Sequence, residues 1–460
     1  MASPTIVLIK NIEGRNAMIN TIIPILRKFR KCFSRRAGFN NFVTVILGVL
    51  LCGGRKVVTN FTRFGRLESR YTMLYKFLSR SPWSVQKVVE TLVDILLALL
   101  PLKREADGRI PLVVSEDSTF AEKSGKKMPG VGFFLDTSNG GKGSKWVRAH
   151  CWMVLTAMLD IPGLGWVHFP LRCGMFVRKS TAEAAGETFV PMLEVALGLI
   201  RLTLPAERFS LTVVADSFFA KKTFGGALLE WGHHLVTRLK KNSVGYTPPV
   251  AQEKRKRGRP RKYGEKVKLL SLLDDQSAAK KMTINVYGKD EIVTMACGVF
   301  VVKWLARPVL VMAVGGKKGK ALFMSTDVTM DPMRALELYA ARFGIETMFR
   351  DLKQDLGFTE YQVRNRMSTE RMTFLTLAAY SVMRIIVLKD SKLRDEVTKS
   401  LSDPWRAQMP KYSNATVIKV TAGILFTAGI LCMVGGKLKL SKNAQTMMVH
   451  ESAKGESSKL

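Results

Sequence analysis

The chain has 460 residues, 47% of them hydrophobic and 24% charged, a globular composition that excludes a disordered or fibrous protein and allows roughly two or three domains. Its formal net charge of +35 would strain a compact fold by self-repulsion unless a polyanion is near, so nucleic acid is the first partner to consider and an anionic membrane surface the second. Six cysteines without a C-x-x-C pair and five histidines without ligand spacing argue against a disulfide frame or zinc site and for a reduced, cytosolic protein. The N-terminus has no long apolar stretch of the kind a secretory signal needs.

Residues 15 to about 105 read as helical. NTIIPILRKFRKCF is amphipathic, with its cations toward the C-terminal end, where they suit the helix dipole. FNNFVTVILGVLLCGG ends in the stop signal Gly53-Gly54, and Pro82 and Ser84 precede VQKVVETLVDILLALL as start signals. Basic residues decorate the whole segment, among them Arg27, Lys28, Arg35, Arg55, Lys56 and Arg70. Residues 1–105 are read as a small helical DNA-binding domain, with a solvated bundle of basic surface as the alternative.

Beyond this point the pattern changes. LVVSEDST and SLTVVADS are short apolar runs that end in acids, as strands buried on both faces of a sheet do. WVRAHCWMVLTAML and WVHFPLRC read as further strands, and TAEAAGETFVPMLEVALGLIRL as one helix. Residues 217–330 are strand-rich and broken by Gly-rich turns, and are expected to form a β-rich insertion distinct from the α/β layer. A long helix follows from 331, then a second, STERMTFLTLAAYSVMRIIVL, ending before 390. In the C-terminal region, 391–460, the run Thr421–Val434 is shorter than the roughly 20 residues that cross a bilayer. It is expected as a buried helix, with a disordered tail after Lys437.

Tyr339, Arg342, Glu346 and Lys353 stand at the spacing Y-x2-R-x3-E-x6-K within YAARFGIETMFRDLKQ. At about 100° per residue, with Tyr339 at zero, the other three fall near 300°, 340° and 320°, so the four share a stripe about 60° wide. Leu338, Ile345, Met348, Phe349, Leu352 and Leu356 form a separate apolar stripe suited to burial. A carboxylate among cations and a phenol suits a divalent metal and the phosphates of a nucleic acid. A surface helix with ordinary salt bridges is the bland alternative.

An acid at the tip of a buried strand is held rigidly while its side chain emerges at the sheet edge. Two such acids and one from a packed helix can hold two divalent cations about 3.5–4 Å apart, one activating the attacking oxygen and the other stabilising the leaving one. The candidates are Asp117, Asp216 and Glu346. Hard oxygen ligands without histidine favour Mg2+, with Mn2+ as a substitute. Glu116 adjoins Asp117, and strand alternation lets only one of the two face a site.

On these residues the chain resembles the DDE-type transposases of bacterial insertion sequences, whose signature is Y-x2-R-x3-E-x6-K. SEDSTF around Asp117, VVADS around Asp216 and the turn KSGKKMPGVG also match that family's pattern, and the resemblance covers roughly residues 105–390. It implies an α/β fold: a ribonuclease-H-like catalytic domain in two parts, 106–216 and 331–390, interrupted by the insertion 217–330. It also implies cut-and-paste transposition, with strand cleavage at element ends and attack of the freed 3′-hydroxyl on target DNA. Tyr339, Arg342 and Lys353 would contact terminal phosphates, Arg342 as a bidentate clamp and Lys353 as a point charge. The implied partners are double-stranded DNA and a second copy of the chain in a synaptic homodimer. The implied setting is the cytoplasm, at the nucleoid, with no membrane. Trp231 and Trp304 lie in the insertion, and neither position identifies a base-holding role.

The densest charge run is KRKRGRPRKYG, residues 254–264. Its Arg257-Gly258-Arg259-Pro260 has the core of an AT-hook, in which arginines enter a narrow A·T minor groove. Arg364 and Arg366 are further candidates for phosphate contact. Two other readings stay open: a catalytically inactive, transposase-derived architectural DNA binder, and a peripheral membrane protein, which leaves the signature helix unexplained.

Overall fold

A computed structural model describes residues 21–389, apart from 66–70, 100–101, 126–127, 137–144, 250–261, 276, 278, 287–288 and 318. Arg257, Arg259, the run Thr421–Val434 and the C-terminal tail lie outside the described residues.

The N-terminal part is helical, as its sequence predicts. A helical run over 21–28 leads into α1 (Arg36–Leu51), α2 (Val58–Gly65), α3 (Tyr71–Ser79) and α4 (Val85–Leu97). The punctuation is where it was expected. Cys52 closes α1 with its N–H on the Gly48 carbonyl, and Gly54 turns the chain at φ 74°. The Ser84 hydroxyl accepts the Lys87 N–H and starts α4. Gly48 is required for a different reason: a Cβ there would stand 2.6 Å from the Phe61 ring of α2.

The rest of the described chain is built on β1 (Ile110–Glu122), β2 (Gly132–Asp136), β3 (Lys145–Ile161), β4 (Gly165–Phe176), β5 (Phe209–Ala215) and β6 (His234–Leu239). β1 is antiparallel to β3 and parallel to β5, and β5 is parallel to β6. The long β3 pairs with β2 near its start and with β4 over the remainder. Helices α5 (Lys179–Ala184), α6 (Met192–Thr203) and α7 (Lys222–Glu230) fill the connections. The single helix expected over 181–202 is two, because Gly186 takes φ 67° and Pro191 caps the start of α6.

The strand-rich segment does not form a layer of its own. β7 (Val244–Tyr246), β8 (Lys266–Lys268), β9 (Lys280–Val286), β10 (Lys289–Val302), β11 (Arg307–Gly316) and β12 (Gly319–Ser325) continue the same sheet. The seam is β12 against β6, running from Leu322 opposite Leu239 to Ser325 opposite Val236. Without it β6 would be an open edge, its backbone groups free to pair with another chain.

The signature segment is likewise two helices, α8 (Pro332–Ala341) and α9 (Gly344–Gln354), followed by α10 (Arg366–Lys389). α10 is long and apolar enough to span a membrane, yet 83% of its most apolar window is buried. It packs on β4, α1 and α3 and joins the helical and sheet parts in one core with Trp152, Phe42 and Tyr380.

At the end of β1, Lys123 ties this core to the segment before α10. Its Nζ donates to the carbonyls of Thr359 at 2.6 Å and Tyr361 at 3.1 Å and lies 3.4 Å from the Tyr361 ring centre. The Tyr361 hydroxyl meets His150 Nδ1 at 2.6 Å and accepts the Trp152 indole N–H at 3.1 Å. Burial lowers the Lys123 pKa from 10.5 to about 7; Arg55 adds to the fall and Glu360 opposes it. A neutral amine keeps both carbonyl bonds. Between about 7 and 10.5 the unfolded chain therefore binds a proton that the folded chain lacks, and stability rises with pH through that window. Denaturant unfolding across this range is expected to show the rise in wild type and its loss in Lys123→Met.

Candidate active site

The site begins with register. Ser115 of β1 lies opposite Val214 of β5, the last pair of that ladder; Asp117 follows within β1 and Asp216 just beyond the end of β5, near enough for its charge to act on Asp117. The Asp117 carboxylate accepts the Ser118 N–H at 2.7 Å. Asp216 caps a short turn by accepting the Phe218 N–H at 2.9 Å, and its carbonyl accepts the Thr237 hydroxyl of β6 at 2.7 Å. Both acids are thereby tied to the backbone of the sheet.

The third acid comes from α9. Asp331 caps α8 by accepting the Arg334 N–H at 3.1 Å, and Pro332 occupies its first turn. α8 ends at Arg342, which is still in right-handed helical conformation, as is Phe343. The two residues form a tight joint, with Phe343 N–H on Ala340 O at 3.3 Å and Ile345 N–H on Arg342 O at 2.9 Å. Glu346 falls in the first turn of α9, where the positive end of the helix dipole favours a carboxylate.

One guanidinium joins the two elements. Arg342 donates from Nη1 to Asp117 Oδ2 at 3.2 Å and from Nη2 to Glu346 Oε1 at 3.1 Å. It also lies 5.6 Å from the Tyr339 ring, which packs on Phe323. Burial raises the Asp117 carboxyl to about 6; Arg342 opposes this, while the negative charges of Asp216 and Glu346 add to it. Burial disfavours the charge on Arg342, yet Tyr339, Asp117, Glu346 and Asp216 hold its pKa above the ordinary value. Burial raises the Tyr339 phenol as well.

Asp117 and the two carboxylates whose charges act on it are, in chemical kind, a set of donors for hard divalent cations. Among the described residues no group of three His, Cys, Asp or Glu side chains is arranged to hold a metal ion; Arg342 stands between Asp117 and Glu346. The donors fit Mg2+ or Mn2+ by type, and the geometry requires the guanidinium to withdraw before they could close on an ion.

The other expected residues are dispersed. Lys353 is half-buried; burial lowers its pKa, and the charges of Asp136 and Glu122 oppose the fall. It therefore faces the outer end of β1 and β2, beyond the acids. Arg364 is exposed ahead of α10. Arg366 is engaged within the protein, paired with Glu187 and, at 3.1 Å, with Glu370. Trp231 packs against the main core, and Trp304 lies beside Gly225. Glu116 is fully buried on the opposite face from Asp117, and neither carboxylate oxygen has a hydrogen-bond partner among the described residues. One group escaped the sequence reading: Ser115, Thr156 and His168, a buried polar cluster under the joint. Strand alternation puts Ser115 on the face of Asp117, but nothing local announces His168.

A large mixed sheet with flanking helices, carrying one acid within β1 and another just past the end of the parallel β5, is consistent with a ribonuclease-H-like nuclease. The chain belongs to the DDE superfamily of endonucleases: the family described as "DDE superfamily endonuclease" matches residues 28–295, more than half of its length. The match takes in Asp117 and Asp216 and ends before Glu346. No curated protein matches the chain. Membership makes this a transposase-like nuclease whose substrate is DNA, in a superfamily that generally uses divalent metals.

A buried carboxyl without partners destabilises the fold that contains it. Glu116→Met is expected to raise the unfolding free energy by about 1–3 kcal/mol and leave DNA cleavage unchanged. Chemical denaturation and a cleavage assay check the two halves of that expectation.

Proposed function

We propose that the protein is a cut-and-paste DNA transposase in which Asp117, Asp216 and Glu346 hold Mg2+, or Mn2+ in its place. The observation that carries this reading is that the charges of Asp216 and Glu346 act on Asp117, with Glu346 joined to Asp117 through Arg342. Bound cations would lower the pKa of the attacking oxygen and stabilise the leaving one. In strand cleavage, water adds to phosphorus at an element end, the P–O3′ bond breaks, and the departing oxygen takes up a proton to leave a 3′-hydroxyl. In strand transfer, that hydroxyl attacks a target phosphodiester and the target's own 3′ oxygen leaves.

The chain's own residues position the DNA. Arg342 holds Asp117 and Glu346 in ion pairs, and a terminal phosphate that draws the guanidinium away frees both carboxylates for cations. Tyr339 shapes one side of Arg342. Lys353, on the same helix as Glu346, extends the cationic track toward β2, and Arg364, Arg257 and Arg259 would add contacts. Arg366 is the weakest of these candidates, since Glu187 and Glu370 already share its charge. In this reading residues 1–105 bind DNA, 106–216 and 331–390 form the catalytic domain, 217–330 the insertion, and 391–460 a C-terminal region. A homodimer holds two element ends in the cytoplasm at the nucleoid.

Asp216→Asn and Glu346→Gln are each expected to reduce Mg2+-dependent nicking of a labelled duplex of the DNA flanking the coding sequence by at least about a hundredfold, with DNA binding retained. Nicking at the wild-type rate by either variant would sink the triad. Binding without cleavage by wild type, in Mg2+ and in Mn2+, would favour an architectural binder instead. Arg342→Ala is expected to bind Mg2+ about tenfold more tightly without DNA and to bind DNA less tightly, as titration calorimetry would show.

A further inference from the structure

We propose that His168 is a positioning residue for this site, a buried imidazole that fixes the α8–α9 joint to the strand carrying Asp117. The proposal rests on the nuclease reading for its kinetic consequences, though its geometry stands apart from that reading.

The joint supplies the reason such a residue is needed. In an unbroken helix the Ala341 carbonyl would accept the Ile345 N–H. Here that N–H turns to Arg342 O at 2.9 Å, and the Ala341 carbonyl is left to find another donor. His168 on β4 provides it, with Nε2 2.9 Å from Ala341 O. A carbonyl only accepts, so Nε2 carries the proton and Nδ1 is an acceptor.

Nδ1 faces the Ser115 hydroxyl at 3.3 Å and the Thr156 hydroxyl at 3.4 Å, and these two hydroxyls lie 2.6 Å apart. Whichever hydroxyl donates, the chain of bonds runs from β1, two residues before Asp117, to the carbonyl just before Arg342. Burial lowers the His168 pKa to about 4, the Ala341 carbonyl opposes this, and Arg384 and Arg342 add to the fall. The ring is therefore neutral at physiological pH, as the tautomer requires.

A second contact is independent of the hydrogen bonds. A Cβ on Gly344 would lie 2.4 Å from His168 Cδ2 and 2.5 Å from Nε2, so the first residue of α9 packs its backbone directly on the imidazole. The ring thus grips both sides of the Arg342–Phe343 joint, by a bond before it and by contact after it. The angle between α8 and α9, and with it the reach of Arg342 and Glu346 to Asp117, follows from that grip. His168 itself touches neither acid.

The test compares His168→Phe, which keeps the ring and loses both bonds, with His168→Asn and His168→Gln. Only glutamine carries an N–H as far as the Nε2 position. With saturating duplex and Mg2+, the phenylalanine and asparagine variants are expected to lose kcat by about tenfold to a hundredfold with KM unchanged, and glutamine to restore most of it. Wild-type kcat in His168→Phe, or equal losses in asparagine and glutamine, would overturn the proposal. If His168→Phe fails to fold, Gly344→Ala, which drives a methyl into the ring, is expected to show the same kcat loss.

If wild type does not cleave DNA in either metal, the nuclease reading fails by itself, and nitrogen-15 NMR of the full-length chain decides the positioning role. The expected spectrum shows His168 neutral and protonated at Nε2, and an Arg342 Nε–H resonance that moves in His168→Phe and returns in His168→Gln. A proton on Nδ1, or an unmoved Arg342 signal, would overturn the proposal.

Discussion

Three carboxylates gathered at one edge of a low-dielectric sheet repel one another, and the arrangement persists because a single guanidinium lies among them. Arg342 bonds to Asp117 and Glu346 at once, at 3.2 and 3.1 Å, and its own burial is tolerated only because those acids surround it. Much of the described fold serves this contact. Parallel pairing of β1 and β5 brings Asp216 near Asp117, the joint between α8 and α9 sets the direction of Arg342, and the buried His168 cluster fixes that joint to β1. The position of Arg342 between Asp117 and Glu346 also keeps those two acids apart while both ion pairs last.

What could be read from the sequence was what local pattern controls. SEDST and VVADS announced buried strands ending in acids, since continuous apolar runs are the mark of a strand covered on both faces; both strands form, but only β5 stops at its acid, whereas β1 runs on past Asp117 to Glu122. The alternation that separates Asp117 from Glu116 was legible for the same reason. The joint was not. Arg342 and Phe343 keep right-handed helical dihedrals, and the lone Gly344 beside them is only a weak local sign of a break. The cause is a histidine more than 170 residues earlier, whose hydrogen bond replaces one of the helix's own. The joining of β12 to β6 was hidden too, because strand pairing across some 80 residues depends on an edge that exists only once the sheet has formed. Among the signature residues, the periodicity found the face but not the neighbours: Lys353 shares the helix with Glu346 yet lies toward Asp136 and Glu122.

The charge of the chain acquires structure in the same way. Cations differ in how far their charge is already committed: Arg366 is shared by two glutamates, Arg342 by two acids of the site, and Lys123 is buried on carbonyls. Ion pairs are already cancelled within the net charge of +35, so of these three only the buried Lys123 lowers it, and exposed positions such as Arg364 present part of the excess.

The place of α10 in the core bears on when the protein can act during its own synthesis. This helix, Arg366–Lys389, packs against α1 from the beginning of the chain and against the strand that carries His168. A ribosome must therefore release nearly all of the described residues before the hydrophobic centre can close around it. A nascent chain already exposing both aspartates would lack the helix that seals the sheet. The core can therefore close only after α10 has emerged, however early both aspartates are made.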